Sequence, residues 1–174
     1  MKQFRYPLIF AAVYLSWKLF YYTITHVAPL HDVWMMGILP LTHVYQQVSG
    51  LFLQLLGFDV TLKEGNQIFL SSTKGIEVLE LCLGVPAMYF FCISVVVLPT
   101  PNWKQRLCFL LAGLVGIFCL NIFRIAGLAI AYDRASPAVA HFFHNYAYVV
   151  VTYGSILLML IWWLNKQDRT SAKN

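Results

Sequence analysis

Charge is what this sequence has least of. Only 11% of its 174 residues are Asp, Glu, Lys or Arg, against about 25% in a soluble domain. With 60% hydrophobic residues and a mean hydropathy of +0.68, that shortage excludes an ordinary water-soluble enzyme. The chain reads as one integral membrane domain, 1–174. Cysteine is sparse too. The four cysteines are 10, 16 and 11 residues apart and include no C-x-x-C pair, which excludes a disulfide framework or a zinc ribbon. The first apolar stretch lacks a small-residue cleavage site and contains Lys18, so it reads as a retained anchor rather than a signal peptide. No internal repeat or low-complexity segment is present. The net charge of +5 is not gathered on any soluble face, so no nucleic-acid partner is implied.

Four apolar runs are present, at 7–24, 81–98, 107–132 and 146–164. Each reaches about 18 residues or more, enough for a helix to cross ~30 Å of hydrocarbon. Basic residues sit at Lys2 and Arg5, at Lys104 and Arg106, and at Lys166, Arg169 and Lys173. The positive-inside rule places all three groups in the cytoplasm. Segment 59–80 sets Lys63 and Lys74 against Asp59, Glu64, Glu77 and Glu80, and belongs outside. Between the first run and that segment, Val44, Val48, Leu51, Phe52, Leu55 and Leu56 recur at helical spacing, interrupted by Gln46, Gln47, Ser49, Gly50 and Gln54. With both flanks so placed, 33–58 cannot cross only once, and it reads as an amphipathic helix on the outer interface.

Next comes β-type alternation, with turn signals at Gly65-Asn66 and Lys74-Gly75 and strand candidates at 67–70 and 76–78. The expected fold is therefore an all-α membrane protein of about four transmembrane helices, an interfacial helix and a small extracytoplasmic β-hairpin. Its parts are an anchor and amphipathic helix (1–58), an outer segment (59–80), a helical core (81–164) and a cytoplasmic tail (165–174).

Three polar residues stand at the ends of these runs: Cys82 at a start, Arg124 in a last third, and His144 just before a start. If the runs alternate in direction, all three meet at one membrane surface. Cys82 sits at a predicted helix N-terminus and water boundary, where the helix dipole lowers a thiol pKa. Glu80, Gly84 and Pro86 surround it. Taken alone it also fits an incidental interfacial cysteine. Cys92, Cys108 and Cys119 read as small hydrophobes. A guanidinium in an apolar helix costs roughly 2.5–3.5 kcal/mol on insertion scales, so Arg124 should hold a partner or snorkel to the head groups. Asn121 lies on the same helical face. His141 and His144 form an i, i+3 pair. As a metal site it is weakly supported, because no acidic ligand lies nearby. As a general base, an imidazole beside a thiol is apt. Trp34, Trp103, Tyr146, Tyr148, Trp162 and Trp163 read as interfacial belt aromatics.

Over roughly 51–164 the chain resembles the exosortase/archaeosortase family of membrane cysteine transpeptidases, and most closely its small Bacteroidetes-type members. The matching features are LLGFDV, a strand-like lead-in, ELCLG, NIFRI and the Phe-His element of FHNYAY, in that order. The chain departs from many members in having Leu83, rather than Ser or Asn, after the cysteine. The resemblance implies that Cys82, Arg124 and His144 are catalytic, with Asn121, Glu80 and His141 supporting. It implies a bacterial inner-membrane enzyme that processes exported proteins bearing a C-terminal transmembrane sorting tail. The active site would face outward and act through a thioester, with no cofactor. The acceptor, whether lipid, glycan or peptide amine, is not legible. Two other classes remain open. One is a non-enzymatic subunit of a transport or assembly complex, with Arg124 as a helix contact. The other is a redox or metal protein built on the histidines.

Overall fold

The computed structural model describes residues 5–70, 75–98, 102–134, 137–142, 146 and 148–171. Among these, six helices and three short strands appear in chain order. They are α1 Arg5–His26, α2 Ala28–Leu55, β1 Thr61–Lys63, β2 Gln67–Phe69, β3 Gly75–Glu77, α3 Val85–Val97, α4 Trp103–Arg134, α5 Pro137–Phe142 and α6 Tyr148–Ser171. A single 3-10 turn, Glu80–Cys82, joins β3 to α3.

Helix α4 is the axis of the molecule. Its buried stripe runs Phe109, Gly113, Ile117, Asn121, Ile125 and Leu128, spaced by three or four residues as one helical face requires. Contacts along that stripe fix the directions of its neighbours. Gly84 meets Asn121 and Phe91 meets Gly113, so α3 runs antiparallel to α4. The Tyr148 hydroxyl lies against Gly127, Met159 against Gly116, and Trp163 stacks on Phe109 at 4.3 Å, so α6 is antiparallel to α4 as well. Glycine at 113 and 127 lets an aromatic side chain lie directly on the helix backbone. Trp163 is thus a core residue, not a belt aromatic.

The expected alternation therefore holds for these helices. Two of them, Trp103–Arg134 and Tyr148–Gln167, are long and apolar enough to cross a membrane. The run expected to span at 81–98 is different. Its helix has only 13 residues, rising about 20 Å, because 80–84 is spent on a turn.

The other correction concerns α2. It is one 28-residue helix beginning well before 33, and its buried stripe includes Thr42, Gln46 and Ser49. Leu51 and Leu55, on the stripe read as its apolar face, are 57% and 78% exposed, as the outward apolar face of an interfacial helix would be. In α6 likewise Thr152 is buried and Val150 is 71% exposed. Polar groups turned inward and large aliphatics outward fit a lipid solvent better than water. Buried polar groups then need partners. Gln46 finds two, its Nε2 donating to the Lys63 and Gln67 carbonyls at 2.9 Å and so clamping the β1–β2 hairpin to α2.

The outer segment is a three-stranded antiparallel sheet, order β1-β2-β3, rather than a two-strand hairpin. Gly65 and Asn66 make the expected turn, both at positive φ (78° and 59°). The other expected turn includes Lys74, outside the described residues; Gly75 opens β3. Leu62, Ile68 and Ile76 share one sheet face and enter a core with Tyr45 and Leu53 of α2 and Ile122, Ile125 and Ala126 of α4. Cys82 and Leu83 belong to this core. A second core, of Phe91, Phe109, Ile117, Leu160 and Trp163, fills the helix bundle beyond.

Candidate active site

The backbone around Cys82 is set by local rules first. Leu79 is extended, Cys82 N–H bonds the Leu79 carbonyl at 2.8 Å, and Leu83 N–H bonds that of Glu80 at 3.1 Å. Gly84 then turns left-handed (φ +68°) as the N-cap of α3, with Pro86 in the first helical turn, where its missing N–H costs nothing. Cys82 thus lies just before the N-terminus of α3 rather than within its first turn.

Three long-range contacts then pin this turn. Trp34 Nε1 donates to Glu80 Oε1 at 2.9 Å. The Tyr45 hydroxyl donates to the Leu83 carbonyl at 3.0 Å. Gly84 sits against the carboxamide of Asn121, close enough that a Cβ there would collide with Nδ2. Residues 80, 83 and 84 are therefore each tied to another helix, with Cys82 between them. Trp34 and Tyr45 carry no sequence signal for this work, since they lie 46 and 38 residues from their partners. Trp34 read as a belt aromatic from composition; its indole instead orients Glu80. Leu83 is fully buried, which accounts for an apolar residue after the cysteine: its side chain fills the core while its carbonyl takes the Tyr45 bond.

Asn121 is fully buried; its Nδ2 donates to the Ile117 carbonyl at 2.9 Å, and among the described residues no donor reaches its Oδ1. One turn further along the same face, Arg124 is half-buried. Its guanidinium carbon is 6.0 Å from the Tyr148 ring centroid at the start of α6. So the structure brings Cys82, Asn121 and Arg124 to the same end of the α3–α4 pair. His141 lies in α5, its side chain not described, and His144 lies outside the described residues. Cys82 is the most buried of the four thiols, with Cys92 intermediate and Cys108 and Cys119 exposed. It nonetheless lines a groove. That groove holds about 350 Å³ and is bounded by residues 75–79 and Cys82 on one side and Ile125, Leu128 and Tyr132 on the other.

Gly84 offers a direct test of this scaffold. Alanine there takes on left-handed backbone strain of about 1–2 kcal/mol and pushes against Asn121. We expect Gly84→Ala to lower thermal stability and, by displacing Cys82, to cost about 10²-fold in activity. In a double-mutant cycle, Asn121→Ala should give back part of the stability loss. Strictly additive effects would mean that the Gly84–Asn121 contact does not hold the turn.

A helical bundle with two helices able to cross a membrane, a small outer sheet, a thiol lining a groove and an arginine on the adjoining helix defines a class: a helical membrane protein with a polar site at one end of its helices. The family model described as transmembrane exosortase matches residues 8–162, and the chain belongs to that family. Comparison with curated proteins finds no match, and comparison with solved structures finds none either.

Proposed function

We propose that the chain is a membrane-embedded cysteine transpeptidase that cuts the C-terminal sorting tails of exported proteins and passes them to a second nucleophile. The observation that carries this reading is the setting of Cys82: it lines the groove, on a turn tied down at the three residues 80, 83 and 84. Immobilising one thiol so thoroughly is a cost without return in a purely structural subunit. In the reaction, the Cys82 Sγ attacks a substrate backbone carbonyl and an S–C bond forms. His144 takes the thiol proton and gives it to the departing amine as the C–N bond breaks, leaving an acyl thioester. An acceptor hydroxyl or amine then attacks the thioester and restores the thiol. Arg124 stabilises the oxyanion of each tetrahedral stage, with Asn121 as the support behind the cysteine turn. The acceptor is a lipid, glycan or peptide amine.

The protein sits in a bacterial inner membrane as a multi-pass protein, with the sheet and Cys82 on the outer side. Lys104 lies in the first turn of α4 and Lys166 at the C-terminal end of the Tyr148–Gln167 span, both at the end opposite Cys82, which agrees with the charge rule. Single cysteines introduced at Lys104 and Lys173 should be shielded from an impermeant maleimide in intact cells, whereas one at Lys74 should label. Labelling at Lys104 from outside would invert this orientation. The role of Arg124 has its own test. Arg124→Lys keeps the charge but loses the planar fork, and tail processing should slow by ~10²–10³. An unimpaired lysine variant would reduce Arg124 to a helix contact.

A further inference from the structure

Strand β3 has one partner among the described residues. It pairs with β2 as Gln67↔Glu77, Ile68↔Ile76 and Phe69↔Gly75, and no described residue is paired on its other side. Which backbone groups point which way follows from one further bond. Val78 N–H donates to the Asn66 carbonyl at 2.9 Å, so Val78 faces β2. Antiparallel pairing alternates by single residues, so Ile76 also faces β2, and the N–H and C=O groups of Gly75 and Glu77 face away. Both residues are exposed. The groove identifies what these outward groups look onto. It touches residues 75, 76, 77, 78 and 79 in unbroken succession. A groove lying on one face of a strand would meet every second residue, because side chains alternate. Contact with five consecutive residues means that it runs along the edge. Its far wall is the apolar face of α4 at Ile125 and Leu128, and Cys82 also lines it.

The geometry points to β-strand addition as the way this site takes its substrate. A polypeptide lies extended in the groove, bonding its main chain to Gly75 and Glu77, and this pairing presents its scissile carbonyl to Cys82. The inference rests on the transpeptidase reading and adds the form in which the substrate is held. The occupant must be a peptide in extended form, because the outward edge offers alternating donors and acceptors with peptide spacing. From Glu77 to Cys82 the chain spans five residues, at most about 16 Å, so the paired stretch lies within about five residues of the cut. Main-chain pairing leaves side-chain choice to alternate positions, those that face Ile125 and Leu128.

The test uses the full-length protein in membranes. The probe is a synthetic tail peptide, comprising eight residues, an apolar helix and a basic cluster. It is taken from an exported protein of the source cell, and its cleavage must require Cys82. Each of the eight residues before the helix is N-methylated in turn, and kcat/KM is measured. Strand addition predicts a period of two near the cut: methylation at every second position lowers kcat/KM about tenfold or more, while positions between change little. Glu77→Pro removes an outward N–H and leaves the ladder bonds to β2, and should lower kcat/KM by about tenfold with the protein still folded. If Cys82-dependent cleavage persists but the methylation profile is flat or declines smoothly, strand addition is overturned and the transpeptidase reading stands. If no tail is cleaved through Cys82, both fall together. Should Glu77→Pro fail to fold, the methylation profile alone decides, since it needs no variant of the protein.

Discussion

Replacing Cys82 with alanine is expected to abolish tail processing while the protein remains folded in the membrane. The change removes one sulfur from a residue 6% exposed, and its loss from the core costs about 1 kcal/mol, well within what the surrounding contacts tolerate. The ties at Glu80, Leu83 and Gly84 involve a neighbouring side chain and two backbone positions, none of them the thiol, so the turn should keep its shape. Activity has no such reserve, because no other described thiol lines the groove. Processing of a tail-bearing reporter in cells should therefore fall to background with Cys82→Ala. Alanine at Cys92, Cys108 or Cys119 should leave it near normal. A Cys82→Ala chain that still processes the reporter would remove the nucleophile from the mechanism.

The second large effect is expected at His144. Loss of a general base typically costs ~10²–10⁴ in rate, and His144→Ala should fall in that range, with His141→Ala costing much less. The two histidines share roughly one helical face by spacing, so the sequence alone does not separate them. The Phe-His context favours His144. Tyr148, only four residues further along the chain, has its ring centroid 6.0 Å from the Arg124 guanidinium carbon. Steady-state rates of both variants against pH settle the choice. If His141→Ala is the damaging change, the base is one turn earlier in the chain.

Much of the helical frame was legible from sequence, and the reason is length. The long apolar runs behind α1, α4 and α6 carry enough residues for composition alone to mark them, and alternation then puts Cys82 and Arg124 at one end. Where the reading fell short, it did so on extent or on distance. The periodicity of α2 was visible over 33–58, but its start at Ala28 and the neighbours of its other stripe were not. That stripe buries Thr42, Gln46 and Ser49 together with Ile38, Tyr45 and Leu53. The span expected at 81–98 lost its first turn to the Glu80–Cys82 element and left-handed Gly84, a break announced only by a glycine and a proline in an otherwise apolar run.

Strand β1 has three residues and no alternation long enough to detect; it exists because β2 is beside it. Trp34 and Tyr45 are the clearest omissions at the site. Their roles depend on where a helix far away in sequence happens to lie, which no local pattern encodes. Asn121 was marked as a companion of Arg124 on the same face of α4. The structure adds what that asparagine meets, namely the glycine two residues after the thiol.

An acyl thioester between Cys82 and the substrate can be trapped. Purified protein is incubated with a tail-bearing peptide and hydroxylamine, and the products are read by mass spectrometry. The expected products are a peptide hydroxamate ending at the cleaved carbonyl, formed only when Cys82 is intact, and an acyl adduct on the Cys82 peptide when hydroxylamine is withheld. Cleavage of the tail at an undiminished rate by the Cys82→Ala protein, or cleavage by the wild-type chain with neither hydroxamate nor adduct, would contradict the thioester.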